Sequence, residues 1–347
     1  MHAHVAIASD ALDTSSLPPD AALTIHRVFM DRLQAHGRLV FADESDTRDL
    51  LRAVTEGPGL PPQARVWWRE VLATFAKNNR VSVRQPNTTP LAQIANLVEL
   101  RRNWNGSVDV AVVATTACAV LGVPLATGLL ATPGHRPDIV TTHAAATSPA
   151  IERLKNLANQ GTLTHNSPRE IFRQDVFGPL AAGAQTAAIV DRYYFSKLWR
   201  PDADKDAPGH VEWLLSALDA VMAPGAKVHI IAENSRNGNA SATDTAKSVH
   251  AAWNPPLTGR LSEVRLSLIK QTAQGRVPHD RHMRFNTGAA VLMPSGFDRL
   301  EKPTISDPNG MNWNYCWEPR KLDELRAAEQ RTIALPNDRA TVMRRGS

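Results

Sequence analysis

Short apolar runs alternate with longer stretches of helical spacing along the whole chain, and this alternation limits the fold more than any other feature of the sequence. Val108–Ala114 is rich in β-branched residues and has the length of a buried strand. Ala21–His36 instead repeats its apolar residues at helical intervals. Strands that alternate with helices favour an α/β architecture, in which helices cover a largely parallel sheet. Because the chain has 347 residues, we predict two such units.

The same patterns predict where the units begin and end. We expect an α/β domain over residues 1–160, a bridge rich in polar and aromatic residues over 161–185, and a second α/β domain over 186–335. Residues 336–347 lack a clear period and carry three arginines, so we expect a flexible tail there.

Composition excludes several classes of protein. The two cysteines, Cys118 and Cys316, form no Cys-x-x-Cys pair, which disfavours a zinc ribbon or a redox pair. The most apolar stretch, Val108–Leu130, is interrupted by glycine and proline, which favours a buried strand, turn and helix over a membrane span. The first residues lack the pattern of a signal peptide. We therefore expect a cytoplasmic protein without a transmembrane segment.

A modest excess of positive charge lies mostly in the second half. The formal net charge is +5, and residues 187–347 hold 22 Lys and Arg against 18 Asp and Glu. A mildly basic chain favours polyanionic partners, although a small excess over so long a chain is a weak signal.

The segment His279–Asn286 contains the residue pattern that points most directly to chemistry, His-x-Arg-x4-Asn. Residues two apart on an extended chain project to one face, so His279 and Arg281 are expected to lie together. The planar guanidinium of Arg281 suits two-pronged capture of a phosphate. Arg284 falls on the opposite face of a regular strand, which also allows a structural ion pair. Asn286 can form hydrogen bonds but cannot carry a negative charge.

Other polar residues accompany this segment. Asp191 ends a predicted strand, at the position where open α/β sheets place ligands. Each candidate also has an ordinary structural interpretation. Arg281 could pair with Asp191 or Asp298, Asp298 could cap the turn after Gly296, and His279 could be a surface residue.

The order of these motifs resembles a known family. An Asp-x-Tyr begins at Asp191, His-Asp-Arg-x-x-Arg-Phe-Asn-x-Gly begins at His279, and a Gly-x-Asp ends at Asp298. Over residues 186–332 the chain is similar to the C-terminal phospholipase D-like domain of midbody proteins that carry an N-terminal MIT (microtubule-interacting and trafficking) module. It also resembles bacterial defence proteins with a His-Asp-Arg motif. The phospholipase D signature itself is His-x-Lys-x4-Asp.

The resemblance implies roles for these residues. It assigns His279 as the nucleophile, Arg281 as the group that stabilises phosphate charge, and Asn286 in place of the usual acid. It implies substrate contacts from four further residues: Asp191, Tyr193, Arg284 and Asp298. No cofactor is implied for this site. Active members bring two histidines together, so the resemblance implies a homodimer, since the chain has only one copy of the motif.

Two departures from the signature leave catalysis open. The lysine and the acid are both replaced, and the midbody proteins are regarded as non-catalytic binders of acidic lipid. We predict a phosphodiester-binding protein with a degenerate phospholipase D-like site, in a nucleic-acid or prokaryotic defence context. The alternative is a non-catalytic adaptor that binds acidic lipid head groups or a protein partner.

The first half suggests a different chemistry. Asp10, Glu44 (or Asp46) and Asp109 each lie near the end of a predicted strand. Metal-dependent nucleases of the PIN-like type gather three or four acids in this way to hold Mg²⁺ or Mn²⁺, which activates water. Aspartates at strand–helix junctions are also common helix caps. A PIN-like nuclease and a non-catalytic α/β domain are both open for residues 1–160.

Overall fold

The chain folds as two compact units, an N-terminal unit of His2–Asn156 and a C-terminal unit of Leu157–Ser347. The structure is a computed structural model, and it describes residues 2–84, 88–105, 107–132, 136–196, 198, 208–234, 241–253, 259–270 and 275–343. Within these ranges, no helix combines the length and the apolar character that a membrane crossing requires.

The N-terminal unit is an α/β sheet covered by helices, as the alternation predicts. Its strands are β1 (Ala3–Ile7), β2 (Gly37–Phe41), β3 (Val81–Val83), β4 (Val110–Val112), β5 (Leu129–Leu130) and β6 (Asp138–Val140). Its helices are α1 (Pro19–His36), α2 (Glu44–Glu56), α3 (Pro62–Lys77), α4 (Leu97–Trp104), α5 (Cys118–Leu121) and α6 (Pro149–Gln160). The strand order is β3-β2-β1-β4-β6-β5, and all neighbours are parallel except β5 and β6.

Local sequence explains these elements. Every residue of β2 and β4 is buried, as expected for strands that have helices on both faces. Helix α2 begins after Asp43, whose carboxylate accepts a hydrogen bond from the Asp46 amide at 2.8 Å. Helices α1 and α3 begin with proline, which needs no hydrogen-bond partner for its nitrogen at that position.

The C-terminal unit contains a mixed seven-stranded sheet. Its strands are β7 (Thr162–Leu163), β8 (Thr186–Val190), β9 (Ala226–Glu233), β10 (Leu261–Ile269), β11 (His282–Phe285), β12 (Ala289–Leu292), β13 (Met311–Asn312), β14 (Asn314–Cys316) and β15 (Asn337–Met343). Its helices are α7 (Arg169–Ile171), α8 (Gly178–Ala181), α9 (His210–Val221), α10 (Ala242–Trp253) and α11 (Pro319–Ala334). The sheet order is β14-β12-β11-β8-β9-β10-β15; β8, β9 and β10 are parallel, and the other pairs are antiparallel. Strands β7 and β13 form a separate small pair.

Two predictions about chain organisation are wrong. Residues 161–185 are not a bridge, because Phe172 and Phe177, in a wide helical turn between α7 and α8, are fully buried in the C-terminal unit. Residues 336–347 are not a flexible tail throughout, because β15 pairs with β10 from Asn337 to Met343. In both segments the order comes from contacts with residues distant in sequence, which local patterns do not show.

The turn Asn286-Thr287-Gly288 joins β11 and β12 into a hairpin, and this hairpin determines where the motif segment lies. Strands β11 and β12 are antiparallel neighbours, and Gly288 has a φ of 74°, a conformation that glycine adopts without strain. Strand β11 also runs antiparallel to β8, with His282 opposite Val190. The residues just before β11 therefore lie at the carboxyl end of β8.

Candidate functional site

The candidate site lies at the carboxyl end of β8, where Asp191 follows the strand and His279–Arg281 approach from the segment before β11. Ligands of open α/β sheets bind at this kind of edge. The structure thus brings together four of the predicted residues, namely Asp191, Tyr193, His279 and Arg281.

Asp191 is the buried residue that holds the other groups of the site in position. It is 1% exposed, and its carboxylate accepts hydrogen bonds from the amides of Tyr193 at 2.8 Å and Phe297 at 3.0 Å. Arg281 Nε lies 3.3 Å from the same carboxylate. Burial raises the pKa of Asp191, and the two amides and the Arg281 guanidinium oppose this rise. Asp191 therefore fixes the position of Arg281 and has no surface left for a ligand.

Two of the three guanidinium nitrogens of Arg281 have partners within the protein, and the third has none among the described residues. Its Nη1 donates to the Pro294 carbonyl at 2.8 Å, and its side chain is 14% exposed. Gly296, with a φ of 86°, allows this approach, since a Cβ there would lie 3.1 Å from Nη1. Within the described residues, the second terminal nitrogen, Nη2, has no hydrogen-bond partner. That nitrogen remains a donor for an anion.

Arg192 is a site residue that the sequence reasoning missed. It is 3% exposed, and its guanidinium donates from Nε to the Val277 carbonyl at 3.1 Å and from Nη1 to His279 Nε2 at 2.8 Å. Its Nε also lies 3.3 Å from Glu233 Oε2, at the end of β9. Arg192 thus ties two strand ends to the motif segment.

This contact determines which ring nitrogen of His279 carries the proton. A guanidinium can only donate hydrogen bonds, so His279 Nε2 must accept and cannot carry a proton. The single ring proton of the neutral imidazole is then on Nδ1. His279 is exposed, so this N–H is a second donor available at the site.

Tyr193 completes the surface. Its side chain is 42% exposed, and its ring lies 6.4 Å from the His279 ring in an edge-to-face arrangement. The guanidinium carbons of Arg281 and Arg192 lie 5.6 and 5.9 Å from the ring centre, within the range of cation–π contacts. The ring therefore supports both arginines while it faces solvent.

Arg284 and Asn286 do not belong to this site, contrary to the resemblance. Arg284 forms two hydrogen bonds with the buried Glu329 carboxylate, at 2.8 and 2.5 Å, so its charge is used inside the unit. Asn286 follows β11, so it lies about 17 Å along the strand from Arg281, at about 3.4 Å per residue. Its side-chain oxygen accepts from the amides of Gln185 and Thr186, at 2.9 and 3.2 Å, and holds the start of β8.

Asp298 lies beside Gly296, on the loop that cradles Arg281. A Cβ at Gly296 would be 2.7 Å from its Oδ1. A carboxylate repels phosphate, so Asp298 is better placed to shape the Arg281 environment than to contact an anion.

The structure does not bring together the three acids predicted to hold a metal in the N-terminal unit. Asp10 follows β1, and Glu44 follows β2, so both lie at the carboxyl edge of the sheet. Asp109 precedes β4 and therefore lies at the opposite, amino edge, where it accepts from the His4 amide at 2.9 Å and pairs with Arg136 at 2.6 Å. Across the parts of the chain that the structure describes, no three metal-binding side chains come together.

The carboxyl edge of the N-terminal sheet also does not suit a phosphate. A cleft of about 420 Å³ lies there, and its charged lining consists of Asp10, Asp13, Asp49, Arg52 and Glu56. Four carboxylates and one guanidinium disfavour an anion.

No model of a known protein family matches the chain, and a search of curated proteins finds no match either. Its function is therefore inferred from the geometry of the site in the C-terminal unit.

Proposed function

We propose that the C-terminal unit binds the phosphate of a phosphodiester ligand at the carboxyl end of β8 and does not hydrolyse it, with nucleic acid as the main ligand. The observation that carries this proposal is the Arg192–His279 hydrogen bond of 2.8 Å. It turns the histidine into an N–H donor beside a second donor, Arg281.

Arg281 supplies the charged contact. Its Nε and Nη1 face Asp191 and the Pro294 carbonyl, so the guanidinium is oriented before a ligand arrives. Preorganised donors cost little entropy on binding. Nη2 can then donate a charge-assisted hydrogen bond to a phosphate oxygen.

His279 supplies a neutral hydrogen-bond donor, and neither of its ring nitrogens is free to act as a nucleophile. Attack on phosphorus requires a free lone pair on a ring nitrogen. The Nε2 lone pair accepts from Arg192, and Nδ1 carries the proton, so neither nitrogen can attack in this arrangement. The same geometry leaves Nδ1–H able to donate to a phosphate.

Directed donors, not net charge, account for binding here. The two arginines face two carboxylates, the buried Asp191 and the largely buried Glu233, at 3.3 Å each. The local charges therefore balance, and an anion gains from oriented N–H groups. The resemblance of residues 186–332 to phosphodiester-directed proteins favours the same ligand chemistry.

The proposal is tested by fluorescence anisotropy with a labelled single-stranded oligonucleotide. A charge-assisted hydrogen bond contributes about 1.5–3 kcal/mol, so Arg281→Ala should weaken binding roughly 10- to 150-fold. Arg320→Ala is the matched control, because it removes the same charge from a side chain that is 92% exposed. Because the site holds one phosphate and its local charges balance, binding should fall only shallowly as salt rises. Equal affinity of Arg281→Ala and Arg320→Ala would refute the site.

Two further arms separate the alternatives. Vesicles that contain phosphatidylserine should compete weakly; tighter binding to vesicles than to the oligonucleotide would favour the lipid adaptor. Incubation with the oligonucleotide in the presence of a chelator should give no cleavage. Cleavage by the wild type that disappears in His279→Ala would show that the ring reorients and acts as a nucleophile.

A further inference from the structure

Strand β15 forms one end of the C-terminal sheet. It pairs with β10 over seven residues, and no strand in the described part of the chain pairs with its other side. Exposed strand edges of this length are sites at which another strand can add.

The backbone groups that face outward can be identified. The Lys270 amide donates to the Pro336 carbonyl at 2.9 Å, and hydrogen-bonded positions alternate along an antiparallel pair. Asp338, Ala340 and Val342 therefore bond to β10. Four residues direct their backbone N–H and C=O groups away from the sheet: Asn337, Arg339, Thr341 and Met343.

A groove of about 510 Å³ runs beside this edge, between β15 and α10. Helix α10 begins near Asp338, whose carboxylate accepts from the Ala242 amide at 2.7 Å. Asp244 lies in the first turn of α10, whereas Lys247 and His250 lie farther along and line the groove. Asp338 and Asp244 thus lie beside the groove near the start of α10, whereas Lys247 and His250 line it farther along; Arg339 of β15 also lines it.

We propose that the edge is occupied by β15 of a second copy of this chain, antiparallel and centred on Ala340. Arg339 would then lie opposite Thr341 of the second copy, with about eight backbone hydrogen bonds in all. The two-fold axis places the acidic end of each α10 against the basic end of the other. Asp244 and Lys247 lie 3.8 Å apart within one copy but are 59% and 76% exposed, so both side chains are also accessible to the second copy.

Charge favours a second copy over an unrelated peptide. An acidic peptide would pass Asp338 and Asp244 beside the start of α10. A basic peptide would meet Lys247, His250 and Arg339, which line the groove. A second copy that runs antiparallel presents its basic residues to the acidic residues of the first copy, and its acidic residues to the basic ones. It therefore complements the charges along the whole groove. The small side chain of Ala340 leaves room for the two helices to approach.

This dimer does not join the two phosphate sites. Strands β8 of the two copies would be seven strand spacings apart, or about 34 Å at about 4.8 Å each. The two-fold axis also places their carboxyl ends on opposite edges of the continuous sheet. Each His279 therefore remains alone, unlike the paired histidines that the sequence resemblance implies.

Sedimentation velocity of the full chain over a concentration series tests the proposal. We expect a reversible dimer for the wild type. Thr341→Pro removes an outward N–H that makes no bond within the sheet, so it should weaken the dimer at least tenfold. A wild type that stays monomeric up to its highest soluble concentration overturns the proposal.

A charge exchange tests the register. Lys247→Glu should weaken the dimer roughly fivefold or more, since Glu at this position would face Asp244 of the second copy, and Asp244→Lys combined with Lys247→Glu should restore it. Lys321→Glu is the matched control, because Lys321 also forms an exposed ion pair three residues from an acid, Glu318. It should leave the dimer unchanged. A dimer insensitive to Lys247→Glu and to Thr341→Pro would use another surface.

Amide hydrogen exchange gives an independent readout if Thr341→Pro does not fold. The amides of Ala340 and Val342 should be protected at every concentration. Those of Arg339 and Thr341 should become protected only where the dimer forms, and uniform exchange of these two amides across that range would refute the pairing.

Discussion

Glu329→Gln should destabilise the C-terminal unit far more than an ordinary change on α11. The Glu329 carboxylate is only 6% exposed, and it accepts hydrogen bonds from Arg284 at 2.8 and 2.5 Å and from His282 at 3.0 Å. Glutamine keeps the size of the side chain but removes the charge, and its NH₂ group cannot accept from Arg284. The variant therefore leaves a largely buried guanidinium without its counterion.

Two independent arguments give the magnitude. Removing one member of a buried ion pair costs about 3–5 kcal/mol, and the 14% exposure of Arg284 places this case at the lower end. Burial alone would raise the pKa of Glu329, but the hydrogen bonds from Arg284 and His282 outweigh it and lower the pKa from 4.5 to about 2. Each pKa unit corresponds to about 1.4 kcal/mol, which gives roughly 3 kcal/mol.

The sign of the pH dependence follows from the lowered pKa. The unfolded chain protonates Glu329 near its ordinary value, whereas the folded unit resists protonation until the pH approaches about 2. The contribution of Glu329 to stability is therefore complete above about pH 4.5 and is lost as the pH falls from there toward 2.

Calorimetry of the full chain measures this effect. A loss of about 3 kcal/mol should lower the melting temperature of the C-terminal unit by roughly 6–12 °C at neutral pH, and the difference between variant and wild type should shrink below pH 4.5. Glu324→Gln, on the same helix and in an exposed pair with Arg320, should shift it by less than about 2 °C. If the two variants melt together, the buried network does not stabilise the unit.

Three further predictions concern the other residues. Asn286→Ala should destabilise the C-terminal unit by about 1–2 kcal/mol in denaturant titrations, because two amides lose their acceptor, but should leave oligonucleotide affinity unchanged. Arg281→Lys should recover only part of the affinity lost in Arg281→Ala in the anisotropy assay, because one ammonium group cannot reproduce the planar guanidinium. Burial lowers the pKa of His26 to about 4, and Trp68 Nε1 donates to its Nδ1 at 3.3 Å. The neutral ring is therefore the folded form, and the N-terminal unit should lose stability in denaturation as pH falls from about 6.5 toward 4, a limb that His26→Gln should flatten.

The fold class could be predicted from the sequence because it depends on local patterns. Apolar runs such as Val228–Ile231 and helical spacing such as that of Ala21–His36 identify strands and helices without knowledge of their neighbours. Strand β15 could not be found in this way. It has only one buried residue, Val342, and its order comes from pairing with β10, some 70 residues earlier in the chain.

The errors in the candidate sites share one cause. Nearness to strand ends groups Asp109 with Asp10, and the motif of the resemblance groups Asn286 with His279; neither grouping considers which end of a strand each residue occupies. Asp109 precedes its strand and Asp10 follows one, so in a parallel sheet they lie at opposite edges. Asn286 follows β11 whereas His279 precedes it, which separates them by the length of the strand. Strand direction was already readable in the sequence and would have corrected both groups.

Arg192 was missed for a different reason. Its position directly after Asp191 is visible in the sequence, but a charged residue at a strand end is usually exposed. Its burial depends on Glu233 and the Val277 carbonyl, which are 41 and 85 residues away. No local pattern signals such a contact, although an arginine between a strand-ending aspartate and two tyrosines was a residue worth testing.

The structure gives a reason for arginine at position 281, where the phospholipase D signature that the sequence resembles has lysine. A lysine has one nitrogen, which would have to choose among Asp191, the Pro294 carbonyl and a ligand. Arginine forms an ion pair with Asp191 through Nε at 3.3 Å and donates a hydrogen bond from Nη1 to the Pro294 carbonyl at 2.8 Å. Its Nη2 is left for a third partner. A guanidinium has only N–H donors, so it can stabilise negative charge on a ligand but has no lone pair with which to accept a proton. In the proposed function, Arg281 Nη2 and His279 Nδ1–H would hold a phosphate, while the His279 Nε2 lone pair is occupied by Arg192 and would not be free to attack it.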